Sequence, residues 1–212
     1  MAKSRRYPTR RLRRPFFHGQ PNTLGLLILL GAMGCYSLIQ VQSNLIRVYG
    51  KGSSDWVMGK SQTHWDMGFG NRSLEELKPL ALELVNRDRR VNGLPPLVED
   101  PLLNAAAQGH AEDMLARQFY AHVNPDGRDP SDRFQAVGGK TGAGENILQY
   151  QGGPPVALTF RLVEDYQRQW MYSPGHRQNL LKADYETFGY GIAANTLGTE
   201  VYAVQMFSFR AR

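Results

Sequence analysis

Apolar residues in the middle of the chain recur three and four positions apart, a spacing that predicts amphipathic helices. The predicted helices run from about Lys78 to Asn92, from Pro101 to about Leu115, from Pro130 to Val137 and from Pro155 to Met171. The second has the clearest start, because Asp100 can cap it and Pro101 takes the first helical position. For the first helix, the capping-box pattern of Ser73 and Glu76 could mark an earlier start. Pro79 favours the later one, since proline is well placed only in a first turn.

The spacing changes in the last third of the chain. Phe188 to Ala194 and Glu200 to Phe209 predict two strands, joined by a turn-rich loop. The second strand is apolar at successive positions from Val201 to Val204, so both of its faces should be covered. Helices on either side of such a sheet predict an α+β fold, a three-layer α-β-α sandwich.

An apolar run near the N-terminus is a candidate membrane segment. Residues 24–41 contain no charged side chain, and a spanning helix needs ~20 mainly apolar residues, with ~17 as the lower limit. We interpret the run as one transmembrane signal-anchor helix. The alternative is cleavage, because Ala32 and Gly34 stand like the small residues of a signal-peptidase site just before Cys35. The body would then be secreted, or lipid-anchored at Cys35.

The net positive charge of the chain comes from its N-terminal part. Residues 1–54 contain nine Lys or Arg and no acidic residue, which leaves 16 basic and 19 acidic residues in 55–212. A basic tail can be a nucleic-acid arm, but basic residues before an apolar run mark the cytoplasmic side of a membrane segment. We favour the second interpretation, with no nucleic-acid partner and with the rest of the chain outside the cytoplasm.

These observations divide the chain into four parts. They are a basic cytoplasmic tail (1–23), the anchor (24–41), a linker rich in Gly, Ser, Gln and Asn (42–72) and a folded domain (73–212). Trp56 and Trp65 are unusual for a pure linker, so part of it could lie on the domain or at the membrane surface. The single cysteine excludes an internal disulfide, and the domain must therefore be stabilised by its own apolar core.

Short motifs follow one another in a fixed order through the domain. The series is Leu84–Arg87 with Gly93–Leu97, His110–Met114, Phe119–His122, Gly144–Ile147, Trp170–Arg177, Gly189–Ile192 and Tyr202–Phe207. From about Leu77 to Phe209, this order resembles the CAP superfamily of cysteine-rich secretory, antigen 5 and pathogenesis-related 1 proteins. The resemblance is to its cysteine-free bacterial branch, and it implies the same α-β-α fold.

The resemblance also implies a cleft. In the family, two histidines and two glutamates line a central cleft, and some members bind metal there. His122 and His176 match the histidines and Glu145 the first glutamate, whereas Ser173 stands at the second glutamate position. Two His and one Glu are suitable ligands for Zn²⁺ or another divalent metal with an open coordination position. Such a site would have modest affinity, falling as the imidazoles become protonated.

A polar cluster without metal is the alternative for the same residues. Ser173 and Pro174 predict the start of a short helix, so His176 would lie in its first turn and hydrogen-bond with Ser173 there. Glu145 would accept hydrogen bonds from backbone amides in a turn that Asn146 braces. Arg177 pins the following loop or faces the cleft.

The other nearby residues have simpler interpretations. His110 lies on the apolar face of the second helix, so we expect it to be a buried, hydrogen-bonded core histidine. We expect Phe119 and Tyr120 to be aromatic residues of the core.

Two functions from different classes are compatible with these residues. The first is a membrane-tethered extracytoplasmic module that binds a lipid, a cell-envelope component or a protein. The second is a metal-dependent hydrolase in which Glu145 is the general base and His122 and His176 hold the metal. Nucleophile-elbow and His-Glu-x-x-His motifs are absent from the sequence, and its only cysteine lies in the apolar run.

Overall fold

The computed structural model describes residues 56–60 and 70–210. The predicted tail, the anchor with Cys35, and most of the predicted linker lie outside these residues. Within 56–60 and 70–210, no helix combines the length and the apolar character needed to cross a membrane.

Helices make up most of the first two thirds of the domain. Helices α1 to α5 span Leu74–Val91, Pro101–Arg117, Pro130–Ala136, Phe160–Tyr172 and Pro174–Leu180. The capping box of Ser73 and Glu76 does start α1, and Pro79 lies inside the helix. The prediction of a start near Lys78 was therefore wrong, since the reciprocal cap satisfies the first amides and outweighs the proline. Likewise, α4 begins after the cap Thr159 rather than at Pro155, because the Val156 amide donates to Gly198 O in the loop after β3.

A four-stranded mixed sheet lies at the centre. Strands β1 to β4 span Val98–Glu99, Ala143–Gln151, Thr187–Ala194 and Glu200–Ser208. Their order is β1-β3-β4-β2, with β1 parallel to β3 and the other pairs antiparallel. The two C-terminal strands were predicted, but β2 was not, because Gly144 and the polar residues after it suggested a turn. Gly144 instead allows a close approach, since a Cβ there would overlap the Tyr185 hydroxyl.

Helices pack on both faces of the sheet. One core combines residues of α1, α4 and α5 with one face, including Leu84, Trp170 and Phe188. The other combines residues of α2 and α3 with the opposite face, including Met114 and Val204. The structure thus confirms the expected α+β fold, a mixed sheet with helices.

Two expectations about aromatic residues have different outcomes. Phe119 is partly buried against the second core. Tyr120 is 45% exposed, so the prediction that it is a core residue was wrong. Its hydroxyl donates to Ile147 O on the outer edge of β2, at 3.0 Å. This bond holds the side chain at the edge of the sheet, so the ring does not enter the core.

Candidate functional site

His122 and Glu145 are in direct contact at the edge of the sheet. His122 Nδ1 lies 2.8 Å from Glu145 Oε1. The Glu145 side chain is 1% exposed and the His122 side chain 51% exposed. The sequence therefore identified a real pair, although Glu145 lies in strand β2 and not in a turn. The strand buries the carboxylate and leaves the imidazole at the surface.

Arg133 of α3 is the residue of this cluster that sequence reasoning missed. Its Nη2 donates to Glu145 Oε2 at 2.6 Å, and its Nη1 donates to the His122 carbonyl at 2.9 Å. A reciprocal cap at Asp129 and Asp132 fixes the start of this short helix. No local signal distinguishes Arg133 from an arginine on a solvated helix face, because its partners are at least five residues away.

His110 completes the inner side of the cluster. It is 1% exposed, and Nε2–H donates to Ala121 O at 3.0 Å. This confirms the prediction of a buried, hydrogen-bonded histidine. The same Nε2 lies 3.7 Å from Glu145 Oε1. Burial is the main cause that lowers the pKa of His110, only partly opposed by the Glu145 charge. The imidazole is therefore neutral at pH 7.

His176 approaches from the opposite face of the sheet. Ser173 caps α5 and Pro174 takes the first helical position, as predicted, which puts His176 in the first turn. However, the Ser173 side chain makes no capping hydrogen bond, so the expected Ser173–His176 bond at the helix start was wrong. Burial lowers the pKa of His176, and the charge of nearby His122 lowers it further. Its Nδ1 is buried and has no hydrogen-bond partner among the described residues.

Two asparagines fix α5 to strand β2. Asn179 Nδ2 donates to Glu145 O at 2.9 Å and to Asn146 Oδ1 at 3.0 Å. Asn146 Nδ2 donates to His176 O at 3.1 Å. Since successive side chains of a strand point to opposite faces, Glu145 faces α2 and Asn146 faces α5. His122 and His176 consequently flank the edge of β2, one from each layer of helices.

Arg177 has a structural role. It is 8% exposed, its Nη1 donates to Met171 O at 2.8 Å, and its guanidinium lies 4.3 Å from the Trp56 ring centre. These contacts join Arg177 to the end of α4 and to Trp56, whereas the prediction was that it pins the loop after α5 or faces the cleft.

The arrangement does not fit a zinc site. Throughout 56–60 and 70–210, no group of three or more His, Cys, Asp or Glu side chains is arranged to hold a metal ion. Both oxygens of Glu145 already have partners, His122 on one side and Arg133 on the other. A guanidinium at 2.6 Å also puts positive charge beside the carboxylate that a cation would need. We therefore derive no reaction step through a metal.

The sequence is similar to one family and to two curated bacterial proteins. A family model described as the cysteine-rich secretory protein family, CAP, matches residues 82–207. The uncharacterized protein YkwD of Bacillus subtilis (strain 168) is 32% identical over 121 residues, 56% of this chain and 43% of that protein. The uncharacterized membrane protein YlbC of the same organism is 35% identical over 115 residues, 52% of this chain and 30% of that protein. The matched part thus spans less than half the length of either relative.

Solved structures share the fold. An extracellular protein with an SCP domain from Bacillus anthracis str. Ames has a TM-score of 0.52 and 25% identity, over 66% of this chain and 45% of that one. An outer surface protein from Borrelia burgdorferi has a TM-score of 0.55 and 20% identity, over 68% of this chain and all of that one. The second likeness concerns the fold alone.

Proposed function

The chain belongs to the cysteine-rich secretory protein (CAP) family, and on that premise we propose that it is a membrane-tethered binding module. Its domain would lie outside the cytoplasm and bind a lipid, a cell-envelope component or a protein between His122 and His176. The CAP domain rests on the family match over residues 82–207, and one solved structure with the same fold is named an extracellular protein. Fold alone does not select the ligand, so the proposal depends on the site.

The unsatisfied nitrogen of His176 carries the proposal. Buried polar atoms in folded proteins nearly always have a hydrogen-bond partner, and Nδ1 of His176 has none among the described residues. Burial and the charge of His122 lower the pKa of His176, so its imidazole stays neutral and can accept a hydrogen bond. The half-exposed His122 beside it is reachable from solvent. A ligand with a hydroxyl or an amide N–H could donate a hydrogen bond to Nδ1 and so satisfy it.

Binding is a better match to Glu145 than catalysis. A general base needs an oxygen that a substrate or a water can reach, and the Glu145 side chain is only 1% exposed. In this structure Oε1 is held by His122 at 2.8 Å and Oε2 by Arg133 at 2.6 Å. Glu145 therefore orders the cluster, and no observation favours the hydrolase hypothesis.

Tethering rests on the apolar run and on one relative. Residues 24–41 carry no charge and follow a basic segment, the pattern of an anchor with a cytoplasmic N-terminus. One curated relative is named a membrane protein. The anchor would keep the domain near the membrane, where lipid headgroups and envelope components are concentrated.

The test uses the purified full chain in detergent and measures its melting temperature with candidate ligands. The panel is short-chain phospholipids, cell-wall glycopeptide fragments and peptides. We expect one class to raise the melting temperature of the wild type and to have no effect on His176→Ala. The control is Gln178→Ala, an exposed position on the same helix, and it should respond like the wild type.

An enzyme would give a different result. If the full chain cleaves peptide or ester libraries, and Glu145→Gln abolishes cleavage while the protein stays folded, the binding-module proposal is wrong. A panel in which no ligand distinguishes His176→Ala from Gln178→Ala would also contradict the assignment of this site.

A further inference from the structure

Residues 56–60 lie on the domain although they belong to the segment predicted as a linker. Asn92, at the end of α1, holds both backbone groups of Val57. Its Oδ1 accepts from Val57 N at 2.8 Å, and its Nδ2 donates to Val57 O at 2.6 Å. One amide side chain that captures both the N–H and the C=O of a residue imitates a strand partner. The domain thus recognises this segment as an extended peptide.

A buried carboxylate holds the next part of the segment. Gly59 N donates to Asp88 Oδ1 at 2.9 Å, and Asp88 is fully buried. Arg87 contacts Asp88 at 2.9 Å and covers Gly59 so closely that a Cβ on Gly59 would lie 2.6 Å from the Arg87 side chain. A larger residue at position 59 would therefore displace the Arg87 side chain. A buried carboxylate needs partners, and the docked segment supplies one of them.

Trp56 connects the segment to the helix of the candidate site. Its ring lies 4.3 Å from the Arg177 guanidinium and makes an edge contact with Tyr172, with 5.4 Å between ring centres. Arg177 is the residue after His176 in α5. A guanidinium stacked on an aromatic ring in a partly desolvated position stabilises the contact between them. Removing the ring would therefore loosen the start of α5.

A chain of buried side chains connects the same two places through the core. Gln167 Nε2 donates to Asp88 Oδ2 at 2.8 Å, and Gln205 Nε2 donates to Gln167 Oε1 at 2.8 Å. Asn146 Nδ2 then donates to Gln205 Oε1 at 3.3 Å and to His176 O at 3.1 Å. These hydrogen bonds connect Asp88 to the backbone of His176, so a change at Asp88 alters the partners along the chain.

We propose that Trp56–Lys60 is an intramolecular ligand of the domain, and that its docking holds α5, and with it His176, in position. The docking site consists of Asp88, Asn92, Tyr172 and Arg177, and its occupant is an extended segment with tryptophan at the first position and glycine at the fourth. A change in the segment that follows the predicted anchor would then reach the cleft. The proposal holds for any ligand of the cleft.

Hydrogen–deuterium exchange on the full chain in detergent tests the proposal. In Trp56→Ala, we expect amides of 56–60 and of 173–181 to exchange at least about tenfold faster than in the wild type, while the central strands keep their protection. Val57→Ala is the matched control, because the Val57 side chain is exposed and its backbone makes the contacts. Gly59→Ala is a second route to the same state, and should give the same result without loss of the aromatic ring.

A synthetic peptide of residues 54–61, added to Trp56→Ala, should restore the protection of 173–181. Faster exchange at 56–60 with unchanged exchange at 173–181 in both variants would overturn the coupling. Protection of 56–60 that depends on protein concentration would show docking onto a second copy, and would overturn the intramolecular assignment.

Discussion

Glu145 is almost fully buried, and protein groups meet both of its carboxylate oxygens. Arg133 and His122 provide them, and the backbone carbonyl of Glu145 is held by Asn179. Breaking a buried ion pair by removing one partner leaves an uncompensated charge, whereas removing both partners is far less costly. Arg133 should therefore matter more for stability than its position on a seven-residue helix suggests.

Arg133→Met should lower the free energy of unfolding by about 3–5 kcal/mol, the range for breaking a buried pair. The double variant Arg133→Met with Glu145→Leu should recover much of that loss, as measured by urea unfolding. Arg168→Met is the control, since its pair with Asp165 is exposed and should contribute no more than about 1 kcal/mol. Equal losses from Arg133→Met and Arg168→Met would show that the buried pair contributes no stability.

Arg133 also affects the expected affinity for zinc. We expect weak zinc binding by the wild type, falling further as the pH drops and the imidazoles take up protons. Arg133→Gln should bind zinc more tightly than the wild type, because the positive charge is removed and Oε2 of Glu145 is released. Calorimetry measures this, with His122→Ala added to Arg133→Gln as the control that should lose the gain. Identical affinities in the wild type and Arg133→Gln would refute the explanation.

Two histidines whose pKa values are lowered in the folded state make stability depend on pH. Burial lowers the pKa of both His110 and His176, so the unfolded chain binds more protons than the folded one just below the unfolded value of about 6.5. The contribution of these histidines to the unfolding free energy should therefore be fully present above about pH 6.5. It should be lost as the pH falls towards their folded pKa values. The slope is at most about 1.4 kcal/mol per pH unit for His110, and less for His176, which solvent screens.

Urea midpoints at pH 7.5, 6.5 and 5.5 check this, and His110→Gln should flatten the acid side of the curve. Burial raises the pKa of Asp88, so the contribution of Asp88 to the unfolding free energy increases as the pH falls. This change occurs nearer the pH range in which carboxylates ordinarily titrate. A midpoint that rises between pH 6.5 and 5.5 would contradict the prediction.

At the scale of elements, the packing of α2 on β3 depends on two glycines. A Cβ at Gly189 or Gly191 would meet the backbone of α2, at Leu103 and Asn104 or at Ala107 and Gln108. Asn104 and Gln108 also use this proximity, because their side-chain oxygens accept from Tyr190 N and Ile192 N. The motif Gly189–Ile192 is therefore a contact surface for a helix as well as a strand.

Gly191→Ala should destabilise the protein by about 1–3 kcal/mol, the usual cost of overpacking a core, since backbone atoms cannot move aside as a flexible side chain can. Gly109→Ala is the matched control. Gly109 is exposed in α2 with open space around it, so alanine should stabilise the helix by up to about 1 kcal/mol. Thermal unfolding of both variants decides the matter, and a neutral Gly191→Ala would mean that α2 can shift away from β3.

For the whole molecule, the main prediction concerns topology. With seven basic residues before the apolar run and two between the run and Asp55, the N-terminus should remain in the cytoplasm and residues 42–212 should lie outside. Protease added to spheroplasts should digest the domain and spare an N-terminal tag, while a C-terminal tag is lost. Recovery of a soluble form that begins near Cys35 would establish cleavage instead.

The sequence alone was sufficient for whatever depends on local spacing or on an ordered series of motifs. Helical periodicity and the caps at Asp100 and Ser173 gave the helices, and the order of motifs gave the family, which the family match confirms. His122 and Glu145 were paired by that resemblance, since nothing in their own segments requires contact. Boundaries failed where two local signals competed, as at Ser73 and Pro79.

Only the tertiary structure decided which partner each buried polar group has. Strand β2 has polar residues and a glycine because Asn179, Tyr185 and Gln205 meet it, and these residues are distant along the chain. Arg133 and the docking of Trp56 on Arg177 are contacts of the same kind. Periodicity reports which side of an element is buried, but hydrogen-bond and ion-pair partners depend on how the elements meet in space.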